Sequence, residues 1–499
     1  MSALDTSSLS ATIMQQQHQD KSNAKRNGSI ASHLANGGQK QYNKAVDDKI
    51  DSSVHMEFGG PVGTLAMMIF FPVLMFYFWI CLEFHNGHMI YPSLETVTSL
   101  PALKEWVYVE LIKRVIDHAP LTTYGSTIYL GFIAWSIFCA YVMPGPRTKG
   151  LPVPSLGYQQ LEYHCNGLSS WYVTLALSAV LHITGVFPLQ DIVDNFGPIL
   201  SCAVLSGYAV TLITYFWTVL FGTPHRMSGK FFYDLFMGAP LNPRIGKLDL
   251  KMWAEIRVPW VILFYISLSA VIKQYEMTGH VTAAQAFMLM AHFLYVNACS
   301  KGEECIPTTW DIFYEKWGFM LIFWNLAGVP FTYCHATIYL LNWQQNHGYP
   351  MTHHTGYTIF VYTLCLVGYY IWDTGNSQKN RFRMELAGTY IPRRTFPQLP
   401  WGHIKNPKYI KTEHGAYLLT SGWWGIARKI HYTADLMMAL SWGLICGFDS
   451  FIPYFYVCFF LVVLVHRVTR DMERCAKKYG KDWERYCKEV PWIFIPFVY

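Results

Sequence analysis

Charge is what this chain has least of. Only 14% of its 499 residues are Asp, Glu, Lys or Arg, against 52% hydrophobic residues, where a soluble domain carries about 25% charge. A water-soluble enzyme is therefore not the expected class. Several signatures are also missing: there is no G-x-G-x-x-G, no P-loop, no nucleophile elbow and no H-E-x-x-H. A soluble Rossmann domain is excluded as the source of any dinucleotide binding, although the dinucleotide itself is not. The net charge of +6 is small for this length and the basic residues form no long stripe, which excludes nucleic acid as a partner and leaves anionic headgroups or a phosphorylated ligand. No cysteine pair has zinc-site spacing, so no metal is expected. Cys81, Cys139, Cys202, Cys365, Cys446 and Cys458 lie inside apolar runs, as buried thiols of a reducing setting do. Cys299 and Cys305, close together in one polar stretch, leave a loop disulfide open.

What the chain does have is long apolar runs and aromatic residues, the latter at 17%, a composition suited to interfacial belts. Residues 1–55 are rich in Ser, Gln, Asn, Lys and Asp; a disordered tail without a signal-peptide core is expected there. The first run, GTLAMMIFFPVLMFYFWICL, ends at Leu82 and is long enough for about 30 Å of helix, an uncleaved anchor. Others follow at about 124–144, 168–190, 198–222, 258–274, 281–298, 316–342, 355–373, 433–447 and 451–466. The expected fold is all-α: residues 56–499 form a polytopic membrane domain of about ten transmembrane helices.

The polar connections carry more chemistry than connectors need. Segment 144–171 ends in Glu162, Tyr163, His164, Cys165 and Asn166, and segment 221–260 holds Asn242, Arg244, Asp249, Lys251, Glu255 and Arg257. Headgroup contact and charge pairing are the plain explanation for such residues. In segment 369–415, Lys379 and Arg383 stand four apart. On one helical face they repel unless an anion lies between them, which makes them a phosphate clamp; the plain alternative is positive charge anchoring a helix end. The last eighty residues add to the first view. Trp423 and Trp424 offer flat faces for ring stacking, Arg428 suits a phosphate or carboxylate, and His431 and Tyr432 follow closely. Asp435 suits a ribose, an amide or an arginine. Arg467 and Asp471 can be presented together by one helix, and Tyr479 and Tyr486 lie on an amphipathic stretch placed to close a pocket from the cytosolic side.

The stretches LPVPSLGYQQLEYHCNG, GAPLNPRIGKLDLKMWAEIR, NSQKNRFR, LLTSGWWGIARKIHYTADLMMALSW and LVHRVTRDMERCAKKYGKDWERYC resemble, in order, the membrane sterol reductase family that includes the C14, C7 and C24(28) reductases and the C-terminal half of the lamin B receptor. The resemblance covers nearly all of the chain after residue 60. It implies a ten-helix bundle in the endoplasmic reticulum membrane and an NADPH pocket facing the cytosol, built mainly from about 370–499. Its nucleotide contacts fall on Lys379, Arg383, Trp424, Asp435, Arg467, Asp471 and Tyr486, with Arg428, His431 and Tyr432 nearby. The expected partners are a sterol arriving from the bilayer, NADPH from the cytosol and other membrane enzymes of the sterol pathway.

Departures from the C14 and C7 patterns, at RKIHY (428–432) and PLNPR (240–244), resemble the fungal branch that reduces the C24(28) double bond at the end of ergosterol synthesis. Such an alkene accepts hydride only when a proton is supplied, so an acid beside an apolar tunnel is required. The residues weighed for that role are Glu315, Asp311, Tyr333 and His335, with Glu255 beside them. Ring reduction at C14 or C7, a non-catalytic sterol-binding protein and a transporter are the competing readings.

Overall fold

The structure is a computed structural model and describes residue 48, residues 51–388, residues 390 and 392, and residues 395–495. Most of the expected N-terminal tail lies outside the described residues. The bundle opens with α1 (Gly60–Phe84), α2 (Thr123–Val142), α3 (Gly167–Ile183) and α4 (Phe196–Phe221). Next, α5 (Leu250–Arg257) runs through Val258 into α6 (Pro259–Thr278), and α7 (Ala283–Lys301) packs back along α6. Residues 303–332 break into short turns of helix, followed by α8 (His335–His347), α9 (Thr355–Ala387), α10 (Ile430–Leu444), α11 (Phe455–Tyr479) and α12 (Lys481–Glu489). Three small antiparallel hairpins decorate the polar connections: β1 (Arg147–Val153) with β2 (Gln159–His164), β3 (Arg244–Ile245) with β4 (Leu248–Asp249), and β5 (Tyr409–Lys411) with β6 (Tyr417–Leu419).

Local chemistry sets several of these boundaries. Thr122, Asp249 and Thr282 accept the backbone N–H of Gly125, Met252 and Gln285 at 3.1, 3.0 and 3.2 Å, satisfying donors that a helix start leaves free. Large apolar side chains face outward on α4 (Ile213, Phe216, Trp217, Leu220), α9 (Ile359, Phe360, Leu366, Val367) and α11 (Val462, Val463, Val465). Water would penalise such a surface, whereas lipid accepts it.

Among the described residues, five helical stretches are long and apolar enough to span a membrane: Gly60–Phe84, Thr123–Val142, Phe196–Phe221, Leu250–Thr278 and Ile452–Tyr479. Length and apolarity alone thus do not reach the expected count of about ten. The remaining candidates are short, like α3 and α10, or carry polar residues on buried faces. In that second group, His292 Nδ1 of α7 meets Ser267 Oγ at 2.6 Å, and that hydroxyl lies 2.9 Å from Thr337 Oγ1 of α8. A turn or two away, Gln274 donates to Gln344 at 3.2 Å. Paired in this way, polar groups sit inside the bundle at little cost.

Two buried cations hold the broken region. Arg257 reaches Glu303 at 2.6 Å and donates to Asn166 Oδ1 at 2.5 Å, while Glu303 accepts the backbone N–H of Gly167 at 2.6 Å. Lys251, 1% exposed, donates to the carbonyls of Asp311, Ile312 and Glu315 at 3.0, 2.5 and 2.7 Å. All twelve cysteines are outside disulfides, Cys299 and Cys305 included.

The C-terminal part is organised by α9, 33 residues and so about 50 Å long, against which α10 packs closely. Gly368 permits the approach: a Cβ there would lie 2.8 Å from the Ala434 carbonyl oxygen and 3.0 Å from Met438 Cγ. Gly368→Ala is expected to force the two helices apart and to cost about 1–3 kcal/mol as an overpacked contact, visible as a lower melting temperature of the detergent-solubilised protein.

Candidate active site

Where α9 passes the starts of α10 and α12 and the polar end of α11, basic side chains outnumber acids. Lys379 Nζ lies 3.7 Å from the centre of the Trp424 ring. That ring is fixed by its own N–H, which donates to the Gly375 carbonyl at 2.8 Å, and its centre is 4.9 Å from the His431 imidazole. Lys379, Lys429, Arg467 and Arg383 all act on His431 electrostatically. Two of these cations have acids: Lys429 bonds Asp471 at 2.6 Å and Arg467 bonds Asp311 at 2.7 Å. Among the described residues, Lys379 and Arg383 have no carboxylate within ion-pair distance; nor has Arg474, whose guanidinium lies over the Trp310 ring at 4.0 Å.

The consequences are electrostatic. Burial, then the Arg383 and Lys429 charges, pulls the Lys379 pKa well down, and burial, then the Lys379 and Lys429 charges, pulls the His431 pKa well down too. Lys429 goes the other way: burial opposes its charge, but Asp471 and Tyr432 outweigh that and raise its pKa. His431 Nδ1 is buried without a hydrogen-bond partner. A cleft with surplus positive charge and an unused polar atom has the donor set for a polyanion.

One turn further along α10 the surroundings change. Asp435, 7% exposed, faces Tyr295 Oη at 3.3 and 3.5 Å from its two carboxyl oxygens, and no cation lies within ion-pair distance among the described residues. Rings extend from Tyr295: Trp260 at 4.2 Å, Trp372 at 5.4 Å and Trp442 at 6.1 Å between centres. Tyr456 lies 5.0 Å from Trp442 and 3.9 Å from Tyr333. A carboxyl buried among rings without a counter-ion is cheapest as the neutral acid.

This geometry corrects several expectations. Asp435 sits by a tyrosine instead of an arginine. Arg467 and Asp471 are presented by one helix, as expected, and each takes its partner from another segment, Asp311 and Lys429 respectively. Trp424, 2% exposed, is enclosed by Lys379 and His431 and anchors the cleft instead of offering an open stacking face; Trp423 donates to Thr374 at 2.9 Å and meets Trp401 edge-on at 4.8 Å. Arg428 is turned toward the chain's end, donating to the Pro491 carbonyl at 3.1 Å and contacting the Cys487 thiol. Tyr486 packs α12 against Ile410 and Val490, whereas Tyr432 stays beside His431 at 4.1 Å.

Two of the acids weighed as proton donors have partners of their own. Asp311 is ion-paired to Arg467, and Glu315 accepts from the Trp310 indole and lies 3.5 Å from Arg470. His335 is enclosed by Phe78 and Phe455 at 5.4 and 5.9 Å, away from the cleft. Tyr333 alone of that group reaches the rings around Asp435. Tyr295, Trp260, Tyr456 and Arg474 were not singled out from the sequence. Tyr295 had one signal, its place in an apolar run that also holds His292 and Asn297.

A profile of the Ergosterol biosynthesis ERG4/ERG24 family matches residues 52–499. The chain belongs to that sterol reductase family. The Delta(24(24(1)))-sterol reductase erg4A of Aspergillus fumigatus is 46% identical over 470 residues, 94% of this chain and 97% of its own. The Delta(24(24(1)))-sterol reductase of Gibberella zeae is 48% identical over 462 residues, 91% of this chain and 74% of its own. More distant is the Delta(14)-sterol reductase of Dictyostelium discoideum, 37% identical over 441 residues, 88% of this chain and 91% of its own. Reductases of this family generally use a nicotinamide cofactor, and the residues present fit a phosphorylated one. Among the described residues, Lys379, Arg383 and Arg474 are cations without a carboxylate at ion-pair distance, and Lys379 and Arg383 act on His431, whose Nδ1 has no hydrogen-bond partner there.

Lys379→Met tests that fit. Without ligand the melting temperature is expected to hold or rise, because a repulsive pair is relieved, whereas NADPH binding should weaken by about 2 kcal/mol, one charge-assisted contact, in a fluorescence titration.

Proposed function

We propose that the chain is an NADPH-dependent reductase of the C24(28) double bond of a sterol side chain, converting ergosta-5,7,22,24(28)-tetraenol to ergosterol. The observation that carries this reading is the identity of 46% and 48% to two Delta(24(24(1)))-sterol reductases over nearly the whole chain, against 37% to a Delta(14)-sterol reductase. Reduction at C14 is the second reading, supported by that more distant relative. The setting is the endoplasmic reticulum membrane, with about ten spans once the short and polar helices are counted and with the basic cleft facing the cytosol. The sterol comes from the bilayer, and other membrane enzymes of the sterol pathway are its neighbours.

The chemistry proposed for the chain's residues follows from the two environments. NADPH, when bound, supplies the hydride that ends on C24. Lys379, Arg383 and Arg474 would hold its phosphates, and the turn of helix from His431 to Asp435 links that cationic wall to the buried acid. Asp435, kept neutral by its enclosure, gives a proton to C28 as the C24(28) π bond breaks. The Tyr295 hydroxyl orients the carboxyl and takes a share of the negative charge left on it. Tyr333, Tyr456 and Trp260 present ring faces where positive charge grows at C24, and rings stabilise such charge without reacting with it. Packing around Asp435 keeps out water that would compete for the cation.

Membranes containing the protein are expected to oxidise NADPH when given a 24(28)-methylene sterol and to leave a 14-ene or 7-ene untouched; activity on the 14-ene alone would establish the second reading. Asp435→Asn should lower kcat at least about a hundredfold, the usual share of a general acid, with NADPH affinity unchanged. Tyr295→Phe should fall between that variant and the unsubstituted protein.

A further inference from the structure

Asp48 and residues 51–58, ahead of α1, form a strap across the polar end of the bundle. Asp48 accepts from Tyr158 at 2.7 Å and Asp51 meets His225 at 3.2 Å. Tyr233 donates to the His55 carbonyl at 2.8 Å, and its oxygen accepts the Glu57 N–H at 3.1 Å. The strap ends on α11: Glu57 lies 2.7 Å from Arg470, and the Phe58 ring packs 5.5 Å from His466 and 5.6 Å from Phe236. Each contact is modest, yet together they fix Glu57 and Phe58 against one side of that helix.

On α11, His466 and Arg470 are four apart and form one stripe; Arg467 and Asp471, also four apart, form the adjacent stripe that enters the basic cleft. One residue separates the stripes, so a rotation of about 100° exchanges them. Arg470 also lies 3.5 Å from Glu315, on the loop that Lys251 holds by three carbonyls and that carries Asp311, the partner of Arg467. The strap and that loop grip Arg470 from two sides.

From this geometry we infer that Glu57 and Phe58 are positioning residues for the cofactor: they set the rotation of α11 and so aim Arg467, Asp471 and Arg474 into the cleft. The inference rests on the NADPH reading above. None of these side chains touches the rings around Asp435, so the strap acts on cofactor affinity and leaves the chemical step alone.

The test uses the full chain in detergent, with Glu57→Gln, Glu57→Asp and Phe58→Ala each followed by NADPH fluorescence titration, turnover of a 24(28)-methylene sterol and thermal melting. Expected for Glu57→Gln is a roughly tenfold rise in both the Kd and the KM for NADPH at unchanged kcat, the pattern of lost binding without lost chemistry. Glu57→Asp should recover part of that affinity, and Phe58→Ala should resemble Glu57→Gln. Unchanged NADPH affinity in both Glu57→Gln and Phe58→Ala overturns the inference, as does a fall in melting temperature and kcat with the NADPH KM unmoved. If the unsubstituted chain binds NADPH but turns over no sterol, only the activity reading falls and the Kd series still decides the strap. If it binds no NADPH, both fall.

Discussion

The approach of α10 to α9 at Gly368 is the constraint on which the site depends. A side chain at that position would collide with the Ala434 carbonyl, and Ala434 is next to the acid. Because the helices touch there, Trp424 can donate to Gly375 of α9, Lys379 can lie over the Trp424 ring, and Asp435 can face Tyr295. Without the contact, the cationic wall and the acid would belong to separate parts of the bundle.

Two electrical regimes then coexist within a few ångströms. At His431 the surroundings are crowded with positive charge, and four residues later, about 6 Å along the helix, Asp435 has rings and a phenol for company. A charged reductant needs the first regime and a protonated acid needs the second. Adding a cation beside Asp435 would favour its ionised form and spoil the donor role proposed for it; adding rings in place of the cations would remove the charges proposed to hold the phosphates. The short α10 joins the two without mixing them.

Much of this was legible in the sequence. The scarcity of charge and the length of the apolar runs indicate a helical membrane protein, and the cations at 379, 383 and 467 do gather around one cleft. Pairings were less accessible. Arg467 and Asp471 look like partners because they are four apart, but a folded helix offers each a better one from another segment, Asp311 and Lys429. Sequence distance carries no information on such contacts. Glu315 and Asp311 drew attention as acids near an apolar segment, yet what separates an ion-paired carboxylate from an isolated acid is the neighbours that fold in from α11. Helix α7 has a related reason for failing a simple apolarity test, since its polar His292 is satisfied inside the bundle by Ser267 of α6; α8, at 13 residues, fails on length.

Lys251 carries one more consequence, for the order in which the protein is assembled. Its ammonium group is solvated by three backbone carbonyls of the 310–315 loop in place of water, and water can be given up only when all of them are present. The start of α5 therefore cannot bury early during synthesis and wait; Lys251 has to stay wet until a segment made some sixty residues later arrives. Since Asp311 and Glu315 on that segment also receive Arg467 and Arg470, α11 docks onto a surface that does not exist until Lys251 has exchanged its water for carbonyls. Burial of Lys251 thus waits on that loop, and a truncated chain ending before it would leave the ammonium without its three carbonyls.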